Sequence, residues 1–359
     1  MTKKHFIFFC LISILYSLII FSCKKENNYQ TTPYLTPKIQ GFRDMPLNSN
    51  NPMTLEGIAL GKKLFFDPIL SRDSTLSCAG CHKPIDGFSD VRKLSTGVDG
   101  IFGRRNASAL VNLAWQKNRF FWDGRESSLT EQALKPVEDP VEMHLPWAIA
   151  EFRLQNNSVY KDLFYKAFGV NSITKEYVTK ALEQFEMTLV SYNSKFDKYV
   201  RGEVPLSISE IRGFDIFKTE KGDCFHCHSS TAPEVFISPD RTFANNGLDS
   251  VENVTGFLDF GLGEFTNDLA DYGRFKIPSL RNLAFTAPYM HDGRFQTLDE
   301  VIDFYSEGPK GSPTLEPIMR EKANKRLETL GHWGLDLTPS QKADLKAFLL
   351  TLSDSSFVK

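Results

Sequence analysis

The residues most able to do chemistry fall in two short stretches, "LSCAGCHKP" at 76–84 and "GDCFHCHSS" at 222–230. Each places two cysteines two residues apart and a histidine directly after the second. Three chemistries compete for such a pair. A redox-active dithiol calls for a strand-to-helix setting and has no use for the trailing histidine. A zinc site takes four ligands, which Cys78, Cys81, Cys224 and Cys227 could supply while leaving the histidines idle. C-x-x-C-H is the attachment pattern of a c-type haem: the thiols add to the two vinyl groups and the adjacent histidine ligates the iron. Two copies in one chain point to two covalently bound haem c groups, with His82 and His228 as proximal iron ligands. His226, between the second pair of cysteines, reads as a spacer.

The two remaining cysteines belong to an export signal. Lys3 and Lys4 precede an apolar run ending at Phe21, then Ser22 and Cys23, then the polar "KKENNYQTTP". This order predicts a bacterial lipoprotein signal over 1–22, removed on export, with lipid attached to Cys23. The competing reading is an uncleaved membrane helix, since the run is nearly long enough to span a bilayer. Cys10 leaves with the signal and Cys23 is acylated, so no cysteine is left for a structural disulfide. The expected location is the periplasm, on a membrane through the lipid anchor only. The formal net charge of -2 becomes more negative once Lys3 and Lys4 are gone, which argues against a nucleic-acid partner.

The elements that must position these groups are mostly helices. Residues 23–50 read as a polar tether, broken by prolines. "TLEGIALGKKLFFD" follows as a helix with Thr54 as N-cap. Glycine and proline are frequent between about 85 and 147, which predicts long ordered loops there. "TKEYVTKALEQFEMTLVSYNSKFDKYV" has Tyr177, Ala181, Leu182, Phe185, Leu189 and Phe196 at helical spacing and predicts one long helix capped by Gly202. Ser207 with Glu210, and Thr297 with Glu300, form capping-box pairs that open two further helices. A final helix runs through "TPSQKADLKAFLLTLSD", with Leu345, Phe348, Leu349 and Leu352 on one face. The fold class expected is mainly α: two tandem cytochrome c-like haem domains, 51–200 and 201–359, with long ordered loops.

The segments "LGKKLFFDPILS", "SCAGCH", "FFWDGR", "PVEDPVEM", "CFHCH" and "SLRNLAFTAPYMHDG", in this order, resemble the bacterial dihaem cytochrome c peroxidases, a family that includes the methylamine-utilisation dihaem enzymes. The resemblance implies that the haem of the 51–200 domain reacts with hydrogen peroxide. The haem of the 201–359 domain would receive electrons from a small carrier, a cytochrome c or a copper protein. It places Glu142 at the distal acid/base position and Gln132 and Pro136 in the same distal pocket. A positioned group of that kind is worth roughly 10²–10⁴-fold in rate. It places Trp122 between the haems as an electron relay, and His291 near the second haem. It places Asn106, Thr286 and Pro288 at an inter-domain calcium, a cation that accepts many oxygen ligands. A homodimer is compatible with the resemblance.

Two positions depart from the family pattern. Many members carry a histidine that caps the peroxidatic iron at rest; the matching position here is Val98, and no histidine lies between His82 and His144. The first iron is therefore expected to be open when fully oxidised. The family's peroxidases place a methionine on the second iron, fourteen residues after the histidine of "APYMHDG"; here that position is Tyr305, with Met290 as the rival ligand. The methylamine-utilisation enzyme has a tyrosine there. Phenolate favours ferric iron, and axial ligands move haem potentials over about 0.8 V. The expected function is thus a dihaem peroxidase that reduces peroxide to water. Two other readings are peroxide-driven oxidation of a partner protein's side chains and a non-enzymatic dihaem electron carrier.

Overall fold

Helix α1 (Leu55–Phe66) begins where Thr54 turns the chain: its hydroxyl accepts the Gly57 amide at 3.0 Å, satisfying one of the orphan donors of the first turn. The computed structural model to which it belongs describes residues 29–116, 119–228, 242–320 and 334–358. The expected signal at 1–22 and the lipid site Cys23 lie outside the described residues. Among the described residues no helix is long and apolar enough to cross a membrane.

After α1 come α2 (Cys78–Cys81), a long run of loop, then α3 (Leu129–Glu138), α4 (Trp147–Gln155), α5 (Ser158–Phe168), α6 (Lys175–Glu186) and α7 (Lys195–Val200). The second half holds α8 (Ile208–Phe217), α9 (Phe225–His228), β1 (Phe243–Ala244), α10 (Leu262–Thr266), β2 (Phe275–Lys276), α11 (Leu298–Glu307) and α12 (Pro339–Leu350). The two short strands pair antiparallel, Phe243 with Lys276 and Ala244 with Phe275. The capping boxes Ser207/Glu210 and Thr297/Glu300 form as their spacing predicts.

One design occurs twice. A helix ahead of a C-x-x-C-H packs against a helix much later in the chain, α1 on α6 and α8 on α12. Each crossing is close because a glycine lies in it. A Cβ on Gly61 would run into the Ala181 carbonyl, and one on Gly213 into the Asp344 carbonyl. Around the first crossing Leu60, Leu64, Phe65, Ala181, Leu182 and Phe185 build one core; around the second Phe196, Phe217, Leu345, Phe348 and Leu352 build another. Together residues 31–359 form one compact unit. The architecture is mainly α with long loops, as expected.

Two expectations need correction. The long helix over 174–200 is two helices, α6 and α7. Between them Asn112 captures the backbone of Ser191, donating to its carbonyl at 2.9 Å and accepting its amide at 2.6 Å. Asp354 accepts the amides of Tyr192 and Asn193, and Ser194 restarts the helix with a capping box to Asp197. Tertiary partners outcompete the helical ladder for these donors, a competition that periodicity does not register. The tether expected over 23–50 is drawn onto the first core from Thr31 onward. Tyr34 and Leu55 donate to the carbonyls of Met53 and Thr32, Met45 and Met53 are buried, and Phe42 packs edge-on against Trp115.

Candidate functional site

The first C-x-x-C-H opens a cavity of about 470 Å³. Helix α2 is a single turn, so Cys78 and Cys81 fall on one face of it, and both line the cavity with His82. His82 Nδ1 lies 3.1 Å from the Phe88 carbonyl oxygen, an acceptor for its N–H, in the tautomer whose Nε2 suits a metal. Burial lowers the His82 pKa and keeps the ring neutral, as a ligand must be.

The cysteine environment decides between the three chemistries. Burial pushes the Cys78 and Cys224 thiols up to about 12, the opposite of a reactive dithiol, whose pKa is depressed. The two pairs open onto different cavities, and no cluster of three or more potential metal ligands among the described residues contains a cysteine. Four-thiolate zinc is therefore excluded. All four thiols are free, as haem attachment requires.

The distal residues come from three chain segments. Gln132 and Pro136 stand on α3, whose N-cap Ser128 accepts the Glu131 amide at 3.2 Å. Pro136 has no N–H, so the helix gives up one bond near its end, and the chain turns at Asp139 into Glu142. Val98 donates its amide to the Glu142 carbonyl at 2.8 Å, and His144 Nδ1 meets Asp99 Oδ2 at 2.5 Å. These bonds clamp the 95–103 loop to the 139–144 turn. Gln132, Pro136 and Glu142 all line the first cavity, and His82 is the one histidine among the described residues that line it. Burial first, and then the charge of Asp139, raises the Glu142 pKa to about 7 against the opposing pull of Arg125. Its carboxyl takes no hydrogen bond from a described residue, so it is free to move a proton near neutral pH.

The second C-x-x-C-H opens a cavity of about 320 Å³, lined by Cys224, Cys227, His228, Met290, His291 and Tyr305 among others. A hydrogen bond between His228 and the Pro278 carbonyl orients its ring, while burial lowers its pKa to about 4. Both rival ligands reach this cavity. The Asn246 amide donates to Tyr305 Oη at 3.0 Å and lies 3.7 Å from Met290 Sδ. Burial raises the Tyr305 pKa to about 12. His291 stacks on Phe275 at 3.5 Å between ring centroids, and burial lowers its pKa to about 4.

Trp122 lines both cavities. Its indole N–H donates to the Asn106 carbonyl at 2.9 Å, and its own carbonyl accepts the Lys276 amide at 2.8 Å. The neighbouring Asp123 pairs with Arg105 and Arg125, and Arg105 also pairs with Asp259. Asn106 Nδ2 lies 3.0–3.3 Å from the carbonyl oxygens of Asp90, Arg92 and Lys93. Thr286 and Pro288 line the second cavity together with Asn106.

Some of the site carries no sequence signal. Glu186, Arg105, Asn246 and Lys276 stand in no recognisable motif, and only the fold brings them to the cavities. Glu186 ends α6 beside the first cavity with one carboxylate oxygen buried and unpaired. Burial, reinforced by the charge of Glu183, raises its pKa to about 8.

The model of the family described as di-haem cytochrome c peroxidase matches residues 55–205. Methylamine utilization protein MauG of Methylophilus methylotrophus is 36% identical over 312 residues, 86% of this chain and 85% of that one. Cytochrome c551 peroxidase of Nitrosomonas europaea is 34% identical over 266 residues, 72% of this chain and 75% of that one. A solved MauG-like protein associated with microbial copper homeostasis superposes with a TM-score of 0.80 at 32% identity, covering 91% of this chain and 97% of that chain.

Proposed function

The chain belongs to the di-haem cytochrome c peroxidase family, whose members carry two haem c groups, and from that premise we propose that it reduces hydrogen peroxide to water with electrons from a small redox protein. The observation that carries the reading is Glu142, an acid poised near neutral pH in the cavity that also holds Cys78, Cys81 and His82. Bound there, the haem supplies the redox chemistry at its iron. Glu142 takes a proton from the near oxygen of peroxide and returns it to the leaving oxygen. Gln132 and Pro136 shape the space in which peroxide sits. Trp122, held at both its indole N–H and its carbonyl, forms the wall through which electrons pass from the second haem site. Residues 51–200 act as the peroxidatic domain and 201–359 as the electron-transfer domain.

Glu142→Gln keeps shape and removes the proton carrier. Turnover of peroxide with reduced cytochrome c is expected to fall roughly 10²–10⁴-fold while both haem absorbance spectra stay as in the unaltered protein. Unchanged turnover would remove Glu142 from the mechanism. Two low-spin haems with negligible turnover in the unaltered protein would make it an electron carrier instead.

A second reading follows from Tyr305. A phenolate ligand, with Asn246 donating to its oxygen, favours the oxidised state of the second haem, which suits oxidation of a partner protein's side chains rather than uptake of electrons. The proposal also includes a calcium held by Asn106, Thr286 and Pro288, supported by all three lining the second cavity. It includes lipid anchoring through Cys23 in the periplasm, and a homodimer as the assembly. Radiolabelled fatty acid incorporated by the full-length chain and lost in Cys23→Ser tests the anchor.

A further inference from the structure

The wall between the two cavities contains a half-buried cation with no anion among the described residues. Lys276, on β2, lines both cavities together with Trp122. Its Nζ lies 3.1 Å from Gln116 Oε1, a neutral acceptor. Burial alone acts on its ammonium, drawing the pKa down to about 8, and no described carboxylate stands close enough to oppose this. Three guanidinium groups nearby are treated differently. Arg105 pairs with Asp123, Asp259 and Glu264, Arg125 with Asp123, and Arg104 with Glu264.

Removing an ammonium from water costs several kcal/mol unless an anion compensates for it. Carboxylates pair with Arg104, Arg105 and Arg125, and among the described residues none pairs with Lys276. The missing charge therefore comes from whatever fills the cavities that Lys276 faces. A haem c carries two propionate carboxylates on its edge, and both cavities present a haem-attachment motif. We propose that Lys276 binds a haem propionate at the wall shared by the two cavities. It is a positioning residue, and it sets charge at the junction. Its amide holds the Trp122 carbonyl, so the residue that grips the cofactor's edge is tied to the aromatic ring between the haems. A cation fixed there favours the reduced, less positive state of the iron it faces.

This inference rests on the two-haem reading, and the test separates the two. Lys276→Met, Lys276→Arg and the unaltered chain are made as full haem-loaded proteins, and whole-protein mass first counts the covalent haems. Each haem is then titrated by spectroelectrochemistry at about pH 8, well above the ordinary carboxyl range, so that a freed propionate stays ionised. Lys276→Met is expected to lower the midpoint potential of at least one haem, and the haem that moves is the one whose propionate is bound. Lys276→Arg is expected to keep the original potentials. Two haems with both potentials unmoved in Lys276→Met would overturn the proposal, because a packing role alone does not depend on charge. If the methionine variant fails to accumulate, Lys276→Gln is judged by the same criterion. Fewer than two haems on the unaltered chain would overturn the two-haem reading and this proposal with it.

Discussion

Arg281→Met should be among the most damaging single changes outside the cavities. Arg281 is 1% exposed, and its two terminal nitrogens donate to the Asp197 carboxylate at 2.8 and 2.6 Å. Its guanidinium also lies over the Phe42 ring at 5.1 Å. Asp197 is 2% exposed and closes the capping box of α7, accepting the Ser194 amide and hydroxyl at 2.9 and 2.7 Å. The pair thus joins the N-terminal arm, α7 and the 279–282 loop at the junction of the two cores. Removing the cation strands a buried carboxylate, which costs about 3–5 kcal/mol. With about 2.1 cal/mol/K of unfolding entropy per residue, the roughly 300 described residues turn that loss into a fall of about 5–8 °C in melting temperature. Far-UV circular dichroism and Soret absorbance read the transition. Arg281→Met with Asp197→Asn keeps an acceptor for Ser194 and removes the stranded charge, so the double variant should regain a good part of the loss. A single variant melting within about 1 °C of the unaltered protein, or a double variant no better than the single, would refute the reasoning. The pH dependence has a definite sign. Burial would raise the Asp197 pKa, but the Arg281 hydrogen bonds and charge overcome it and hold the carboxyl below its ordinary value. That stabilisation is present above about pH 4 and is lost as pH falls through the folded-state value.

Other expectations can be tested alongside. Glu186 has a folded-state pKa raised to about 8, so its contribution to stability is fully present below about pH 4 and is lost progressively as pH rises to 8. Glu186→Gln should therefore gain stability over the unaltered chain between about pH 5 and 9, and parallel melting profiles across that range would count against the buried acid. Tyr305→Met should raise the potential of the second haem strongly, and an unmoved redox titration would assign the ligand to Met290. Since His82 is the one histidine among the described residues that line the first cavity, the fully oxidised protein should show a high-spin ferric signal by electron paramagnetic resonance. Two low-spin signals alone would mean a distal ligand from another residue type.

Local chemistry was readable wherever it sat in a short contiguous pattern. Thr54, Ser207 and Thr297 cap helices because a hydroxyl three residues from the amide it accepts needs no distant partner. The break after Glu186 was not readable, since its cause is a pair of side chains, Asn112 and Asp354, far away in the chain. The arm over 31–53 looked like a tether because its few apolar residues are widely spaced, and burial on a core leaves no period in an irregular segment.

The same division holds for the site. By itself the sequence determined which atoms can bind haem, since C-x-x-C-H keeps both thiols and the histidine within one helical turn. It also determined that neither the Val98 position nor its neighbours could supply a histidine to the first iron. Only the tertiary structure decided that Glu142 is an acid poised near neutral pH, because that value comes from burial and from Asp139 and Arg125 around it. Only the tertiary structure brought Asn246 to Tyr305, and Trp122 and Lys276 to the wall of both cavities. Charge and hydrogen bonding act over a few ångströms of space, and Asn246 meets Tyr305 from 59 positions away along the chain.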